Sequence, residues 1–413
     1  MSKPRLVIVG GGWAGFYLVQ YISTDQYDVT IIDPRRTFAN TPLLASAAVG
    51  LFHFHLAEEP IRSRNRVDIQ FFKAYVTSVD FESQTCHCEP NFDEELDSFK
   101  VEYDILVLAP GCQPNTFGTP GVEENALFMK NVSDAMALRK RLLDLFEQAT
   151  LPNTSDAKVK ELLHIAIVGG GPTGIELVAE LDDMAKDELS KIYPRAASKL
   201  TISVYDMADN ILGNYDKDLW QYANEQLAKR KINIETNSTI EKVDANHIFI
   251  KGKPTVAYGI LVWATGNKES GLTESLDVRK SEKGLKRIMT DSNLRAYKDS
   301  SQVWSNVYAL GDAADIDGNP LPPTADMAVQ KAKYLLKVLA SPSAPKAFEA
   351  SNKETVSYLG SGDGVTESGG KGNAAWVAWR AGSVSWSRSL RGRIGILVSW
   401  ALNSLFGTEI ASV

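Results

Sequence analysis

The sequence predicts an α/β fold in which one strand–turn–helix–strand unit occurs twice, followed by an amphipathic helical tail. Three observations carry this reading. The β-branched run Leu6-Val7-Ile8-Val9 meets the glycine turn Gly10-Gly11-Gly12-Trp13-Ala14-Gly15, then helical apolar spacing, then a second strand from Asp28 that ends in the acid Asp33. The same order returns with Leu163 to Val168, Gly169-Gly170-Gly171-Pro172-Thr173-Gly174, a helix from Ile175, and a strand from Leu200 to Tyr205 closed by Asp206. Each unit is followed by a near-copy of one buried strand and turn, Tyr103 to Gly111 in the first case and Tyr258 to Gly266 in the second. Only two copies occur, about 160 residues apart, so this is a duplicated supersecondary unit and not a solenoid.

Length and composition agree. A chain of 413 residues suggests two or three domains, at roughly 100–200 residues each. With 44% hydrophobic and 23% charged residues it is neither collagen-like nor wholly disordered. The 44 basic residues against 51 acidic ones leave −7, which argues against nucleic acid as a partner. Three cysteines, Cys86, Cys88 and Cys112, are too few for a disulfide scaffold and suit a reducing compartment. No apolar run reaches the roughly 18–20 residues that cross a bilayer. The first residues lead straight into a strand, so no signal or transit peptide is expected in this sequence.

Further along, Val307 to Leu310 reads as a strand ending at Gly311-Asp312, and Pro322-Pro323-Thr324 leads into an alanine-rich helix ending near Leu339. Ser341 to Pro345 reads as a linker, and Gly360 to Gly372 as a mobile Gly/Ser-rich loop. Beyond Ala374 the chain is tryptophan-rich and basic, then amphipathic. From Arg391 on, Ile394, Leu397, Val398, Ala401, Leu402 and Leu405 keep helical spacing on one stripe, beside Trp376, Trp379, Trp386 and Trp400 and Arg380, Arg388, Arg391 and Arg393. Such a helix suits a membrane interface. The same stripe would also serve core packing or a homodimer.

One GxGxxG is weak evidence, but two in the same strand–helix context are specific for dinucleotides in Rossmann-like domains. Gly10 permits the tight turn, Gly12 lets backbone approach a pyrophosphate, and Gly15 allows close helix–strand packing. Asp33 would bind a ribose hydroxyl. Gly169, Gly171, Gly174 and Asp206 repeat these roles. Asp206 lies farther from its glycines than the usual ~20 residues. A long helix from Glu176 to Ile192 absorbs much of the excess. A carboxylate there would repel a 2′-phosphate, so NADH is expected over NADPH.

Two dinucleotides imply electron transfer between them, and the order of motifs resembles the two-dinucleotide-binding-domain flavoproteins. That resemblance implies FAD in the first domain and NAD(P)H in a second domain inserted in it. The expected boundaries are 1–130 with 286–345 for FAD, 155–285 for NAD(P)H, and 346–413 for a membrane-associating or dimerising tail. It also implies that Asp312 after Gly311 reaches the flavin ribityl or phosphate region, and that the helix entered at Thr324 and Ala325 points its N-terminus at the flavin ring. Ala109 and Gly111 belong to the same candidate cofactor set, as do Thr265 and Gly266. The disulfide reductases of this architecture carry a cysteine pair beside the flavin. Here the stretch from Thr41 to Gly50 has none, and Cys86-His87-Cys88 has the wrong spacing, so all three cysteines read as structural.

Within that group, Phe38 to Gly50 with Thr41-Pro42-Leu43-Leu44, Asn115 to Val122, Gly169 to Glu176, Trp263 to Gly266, Ala309 to Ala313 and Leu321 to Ala325 resemble the type II (alternative) NADH dehydrogenases. The resemblance runs from Arg5 to about Ile410. It implies a non-pumping NADH:quinone oxidoreductase in which Thr41 and Pro42 lie near the flavin, Glu176 lies near the nicotinamide–flavin junction, and the tail forms a foot on the mitochondrial inner membrane. Without a presequence the location would instead be cytoplasmic. The family's two quinone-site glutamines, four positions apart, correspond here to Asp326 and Gln330. An ionised carboxylate accepts hydrogen bonds but cannot donate one, so Asp326 departs from the family's chemistry. That departure keeps two other readings open. One is a soluble flavin reductase or oxidase using another small-molecule acceptor. The other is an NADH-responsive flavoprotein similar to the apoptosis-inducing-factor group. No metal is expected: His53 and His55 would share a face if their segment were a strand, but no further ligands lie nearby in sequence. No segment has the spacing of a calcium loop.

Overall fold

A computed structural model describes residues 2–213, 215–341, 346–351 and 355–409. Most of the expected linker, residues 342–345, lies outside the described residues. The chain forms two compact units. The first comprises Met1–Phe38, Pro60–Gln113 and Asn267–Lys353, and the second Ala39–Glu59, Pro114–Gly266 and Glu354–Val413. The second nucleotide-binding unit is therefore inserted in the first, and the tail folds as part of the second unit. The expected boundaries at 130, 286 and 346 thus differ from these divisions. Burial explains the difference for the segment 39–59 and for the tail. Leu43, Leu44 and Ala47 and the tail residue Ile396 share one hydrophobic core with Ile165, Ile175 and Leu177.

The first unit is built on a ten-stranded sheet. Its centre is five parallel strands in the order Val303–Ala309, Ile105–Leu108, Arg5–Val9, Asp28–Asp33 and Gln70–Asp80. Leu6, Val7, Ile8 and Val9 are all buried, as expected of a parallel strand covered on both faces. Val9 is in register with Ile32 on one side and Leu108 on the other. The turns at Gly10, Asp33 and Ala109 therefore gather at one edge. The helices Trp13–Tyr21 and Ala325–Ala340 cover one face through Phe16, Leu18, Ala332 and Leu335.

The second unit repeats this arrangement on a smaller scale. Four parallel strands lie in the order Asn233–Glu235, Thr201–Tyr205, His164–Val168 and Ile260–Trp263. Val168 is in register with Tyr205 and Trp263, as Val9 is with Ile32 and Leu108. The helix Pro172–Met184 runs through a π-helical turn, Ala185–Leu189, into Ser190–Ile192, so the long helix expected before Asp206 is present.

One local expectation is corrected, and the condition attached to His53 and His55, that their segment be a strand, is not met. The Gly/Ser-rich stretch is largely a β-hairpin, Val356–Gly360 paired antiparallel with Asp363–Thr366. Its two connecting residues, Ser361 and Gly362, both take positive φ, which matches the twist of a tight hairpin. The segment at His53 is not a strand but the entry to a 3-10 turn, Phe54–Ala57. The two imidazoles nevertheless meet, with their Nδ1 atoms 2.6 Å apart.

The tail comprises two helices, Asn373–Trp386 and Leu390–Phe406. In the second, Ile396 is fully buried, whereas Ile394, Leu397, Val398, Leu402 and Leu405 are each at least half exposed. Asn403 turns the other way and donates to the carbonyls of Gly50 and Leu51 at 3.3 and 3.1 Å. The side carrying Ile396 and Asn403 thus holds the protein, and the expected apolar stripe is the outward face.

Candidate functional site

The two glycine turns are alike down to single hydrogen bonds. Asp33 accepts from the amide of Gly11 at 2.6 Å and from that of Arg35 at 2.7 Å. Asp206 accepts from Gly170 at 2.6 Å and from Ala208 at 2.8 Å. Each acid therefore sits on its own glycine loop despite the different spacing in sequence. In each acid the oxygen that accepts from the glycine amide keeps a lone pair for a further donor, while Asp33 Oδ1 also accepts from the Arg35 Nε at 3.4 Å.

Sterics explain the last glycine in each turn. A Cβ on Gly15 would fall 1.8 Å from the Gly10 carbonyl, and one on Gly174 would fall 2.0 Å from that of Gly169. The middle glycines behave oppositely, since a Cβ on Gly12 or Gly171 would meet nothing within 4 Å. These glycines are the N-caps of the two helices, and neither helix start has a side-chain cap. By contrast, Asn131, Ser155 and Thr324 cap their helices with side chains. An uncapped helix start beside open space suits a phosphate group. The residues present thus fit two dinucleotides, one in each unit.

The other expected cofactor residues of the first unit lie along the same sheet edge. Ala109 and Gly111 follow the strand Ile105–Leu108, and Gly311 and Asp312 form a 3-10 turn after Val303–Ala309. Arg287 and Lys331, which the sequence reading missed, lie beneath this turn. Arg287 is buried and donates to the Asp312 carbonyl at 3.1 Å, pairs with Asp315 at 2.8 Å, and donates to the Leu321 carbonyl at 2.7 Å. Lys331, 1% exposed, donates to the Ala314 carbonyl at 3.2 Å, and burial pulls its ammonium down to about 8. Both look like ordinary surface cations in sequence.

Thr324 caps the helix Ala325–Ala340 by accepting from Met327 at 3.2 Å. Asp326 and Gln330 lie one turn apart on it and are hydrogen-bonded to each other. The Gln330 amide is also tied to Ser351, donating to its carbonyl at 2.8 Å and accepting from its amide at 2.8 Å. Cys86 and Cys88 are buried and free, and burial pushes both thiols up, that of Cys88 to about 11. Cys112 donates to Asp312 at 3.3 Å.

In the second unit, Thr41 and Pro42 open the 3-10 turn Thr41–Leu43, which leads into the short helix Leu44–Ala48. The buried Arg139 donates to the Ala47 and Ala48 carbonyls, a cation at the helix end where the dipole favours it. Thr265 and Gly266 follow the strand Ile260–Trp263. A Cβ on Gly266, at φ +75°, would strike the ring of Phe117. Trp263 donates to the Asn115 carbonyl at 2.9 Å, so two of the motifs singled out in sequence pack on one another.

Glu176 lies in the first turns of the helix Pro172–Met184. Burial and the neighbouring Glu180 push its carboxyl up to about 8, although Trp379 donates to it at 3.1 Å and Arg380 attracts it. Glu180, one turn later and 2% exposed, is pushed up to about 7 by burial, and Ser46 donates to it at 2.7 Å. Glu180 and Arg380 were not recognised in sequence. The i to i+4 spacing of the two acids was the available signal.

Residues 4–332 match the family described as pyridine nucleotide-disulphide oxidoreductase. The whole chain aligns with a probable NADH dehydrogenase of Dictyostelium discoideum, 32% identical over 422 residues and covering 92% of that protein. The chain belongs to the type II NADH dehydrogenases of that family. Over 76% of its length it is 37% identical to the external alternative NAD(P)H-ubiquinone oxidoreductase B2, mitochondrial, of Arabidopsis thaliana, and it spans 55% of that relative. The structure of NDH2 from Plasmodium falciparum in complex with NADH is similar at a TM-score of 0.92, with 25% identity and full coverage of both chains. As a member of this family, the chain uses FAD and a nicotinamide dinucleotide.

Proposed function

We propose that this chain is an FAD-dependent NADH:quinone oxidoreductase that pumps no protons and works as a peripheral protein of the mitochondrial inner membrane. The observation that carries this reading is the pair of matching glycine cradles, each with its own acid, in a chain whose cysteines form no redox pair. The first cradle, through Gly10, Gly12, Gly15 and Asp33, would hold FAD, with Ala109, Gly111, Gly311, Asp312, Thr324 and Ala325 along the same edge. The second, through Gly169, Gly171, Gly174 and Asp206, would hold NADH, with Thr265 and Gly266 beside it. Bound FAD supplies the chemistry, accepting hydride from NADH and returning two electrons to the quinone.

The chain's own residues position and hold charge. The helix starts at Gly12 and Gly171 offer amides and a positive dipole end to phosphates. Asp206 favours NADH by repelling a 2′-phosphate. Glu176, raised toward neutrality, holds a proton at working pH and can release it. Asp326 and Gln330 border the acceptor side, and the exposed stripe from Ile394 to Leu405 lies on the bilayer, from which a lipophilic quinone arrives. Plant relatives that carry ubiquinone and the mitochondrion in their names support this placement.

The test is steady-state turnover of the FAD-loaded chain with NADH and a short-chain ubiquinone, against NADPH and ferricyanide as controls. Turnover with NADH and quinone, and weak turnover with NADPH, is the expected result. Turnover with ferricyanide alone contradicts the quinone assignment.

A further inference from the structure

Beneath the Gly311–Asp312 turn the first unit holds a charged cluster that the proposed reaction does not use. A Cβ on Gly311 would lie 3.7 Å from that of Ala14, in the first turn of the helix Trp13–Tyr21, and 4.0 Å from that of Ala328. The turn is therefore packed between the helix that starts at Gly12 and the helix Ala325–Ala340. Its floor is made of Arg287 and Lys331, which are 6% and 1% exposed.

Arg287 holds the turn from below. Its Nε donates to the Asp312 carbonyl at 3.1 Å, and its Nη1 donates to Asp315 at 2.8 Å and to the Leu321 carbonyl at 2.7 Å. Its Nη2 is buried with no hydrogen-bond partner among the described residues. The other oxygen of Asp315 accepts from the amides of Ile316 and Leu321 at 3.0 Å each. Lys331 has one hydrogen bond among the described residues, to the Ala314 carbonyl at 3.2 Å. The charged groups that face it are Arg287, Asp315 and Asp312. Asp312, which accepts from the Cys112 thiol at 3.3 Å, faces Arg287 as well.

The charges of Arg287 and Asp315 cancel, which leaves the Lys331 ammonium to offset the carboxylate of Asp312. A buried ammonium with one carbonyl partner costs stability, and a methionine would fill the same space without that cost. The ammonium thus contributes charge, not packing. We propose that Arg287 positions the Asp312 turn and that Lys331 holds a positive charge behind it, so that flavin in the first cradle is easier to reduce. This rests on the reading that the first cradle holds FAD. Hydride transfer, FAD + NADH → FADH⁻ + NAD⁺, leaves a negative charge on the flavin. An uncompensated Asp312 opposes that charge, whereas a buried cation behind it favours it, with little screening by water.

The experiment is the midpoint potential of the flavin in the full chain, read spectrophotometrically against reference dyes between pH 6.5 and 10. Lys331→Met is expected to hold flavin and to melt no lower than wild type. At pH 6.5 and a fixed poise, its ratio of reduced to oxidised flavin should be about tenfold smaller, which is about 30 mV for a two-electron couple. Burial pulls the Lys331 ammonium down to about 8, so wild type loses this charge on the alkaline side and the gap should close by pH 10. Lys331→Gln serves as the neutral variant if Lys331→Met fails to hold flavin. Arg287→Lys keeps the charge but loses the grip on the turn, so it should bind FAD more weakly at an unchanged potential. Neutral variants with the wild-type potential at pH 6.5, a gap that persists at pH 10, or Arg287→Lys binding FAD as tightly as wild type overturns the inference and leaves FAD in the first cradle. Flavin kept by Gly15→Ala and lost by Gly174→Ala places FAD in the other cradle and overturns both.

Discussion

Trp379 donates its indole N–H to Glu176 at 3.1 Å, so the tail is built into the nucleotide-binding unit whose helix carries that acid. The buried Ile396, which shares a hydrophobic core with Ile175 and Leu177, extends the attachment. A tail that was only a membrane anchor could be cut away without cost, but this one cannot. Truncation after Ala374 removes Trp379 and Ile396 together. Burial of each large apolar side chain contributes about 1.5–3 kcal/mol. The truncated chain is expected to melt several degrees lower and to lose ferricyanide turnover as well. A melting curve unchanged from wild type would contradict this packing.

Membrane attachment is better tested on the outward face. Leu397 and Leu402 are about half exposed, so glutamates there remove no core contact. The double variant Leu397→Glu/Leu402→Glu should keep the wild-type melting temperature and stay in the supernatant when sedimented with anionic liposomes. Wild type should pellet with them. Equal pelleting of the two proteins would refute the foot.

The two cradles can be separated by one methyl group each. Gly15→Ala places a Cβ against the Gly10 carbonyl, and the variant should purify with little flavin absorbance. Gly174→Ala does the same against Gly169, and it should keep its flavin while the KM for NADH rises about tenfold or more. That rise corresponds to about 1.4 kcal/mol of lost binding. The opposite pattern would reverse the assignment of the cofactors to the two units.

Burial of Glu176 and Glu180 also makes stability depend on pH. Both carboxyls bind protons more tightly folded, at about 8 and about 7, than at the ordinary 4.5. The folded state then holds more protons than the unfolded one between these values, so stability falls as pH rises from about 4.5 to about 8. Each tenfold change in proton affinity is worth about 1.4 kcal/mol. Glu180→Gln should flatten this decline, as measured by denaturant melts across the range. A decline as steep as that of wild type would show that Glu180 ionises without cost.

The duplicated fold was legible because each of its parts leaves a local mark: a β-branched run, glycines that sterics enforce, and an acid at a strand end. Asp206 shows how far that goes. Its distance in sequence looked irregular, yet its hydrogen bond to Gly170 repeats that of Asp33 to Gly11, because the extra residues form a helix that returns the chain to the same edge. The hairpin at Gly360 was misread because glycine and serine mark loops and tight turns alike. Glu180, Arg380, Lys331 and Arg287 were not singled out, since their roles depend on what buries them, and burial of a single polar side chain leaves no periodic trace. The stripe from Ile394 to Leu405 was visible, but which way it faces was decided by Asn403 and Ile396 on the other side.

The central claim is that one flavin in this chain passes electrons from NADH to a quinone without a thiol between them. Anaerobic double-mixing stopped flow tests it most directly: NADH is mixed first, then a short-chain ubiquinone, while the flavin absorbance is followed. The account predicts fast bleaching by NADH and an equally fast return of the oxidised spectrum on adding quinone, unchanged when Cys86, Cys88 and Cys112 are all serine. Flavin that bleaches but is not reoxidised by quinone would contradict it.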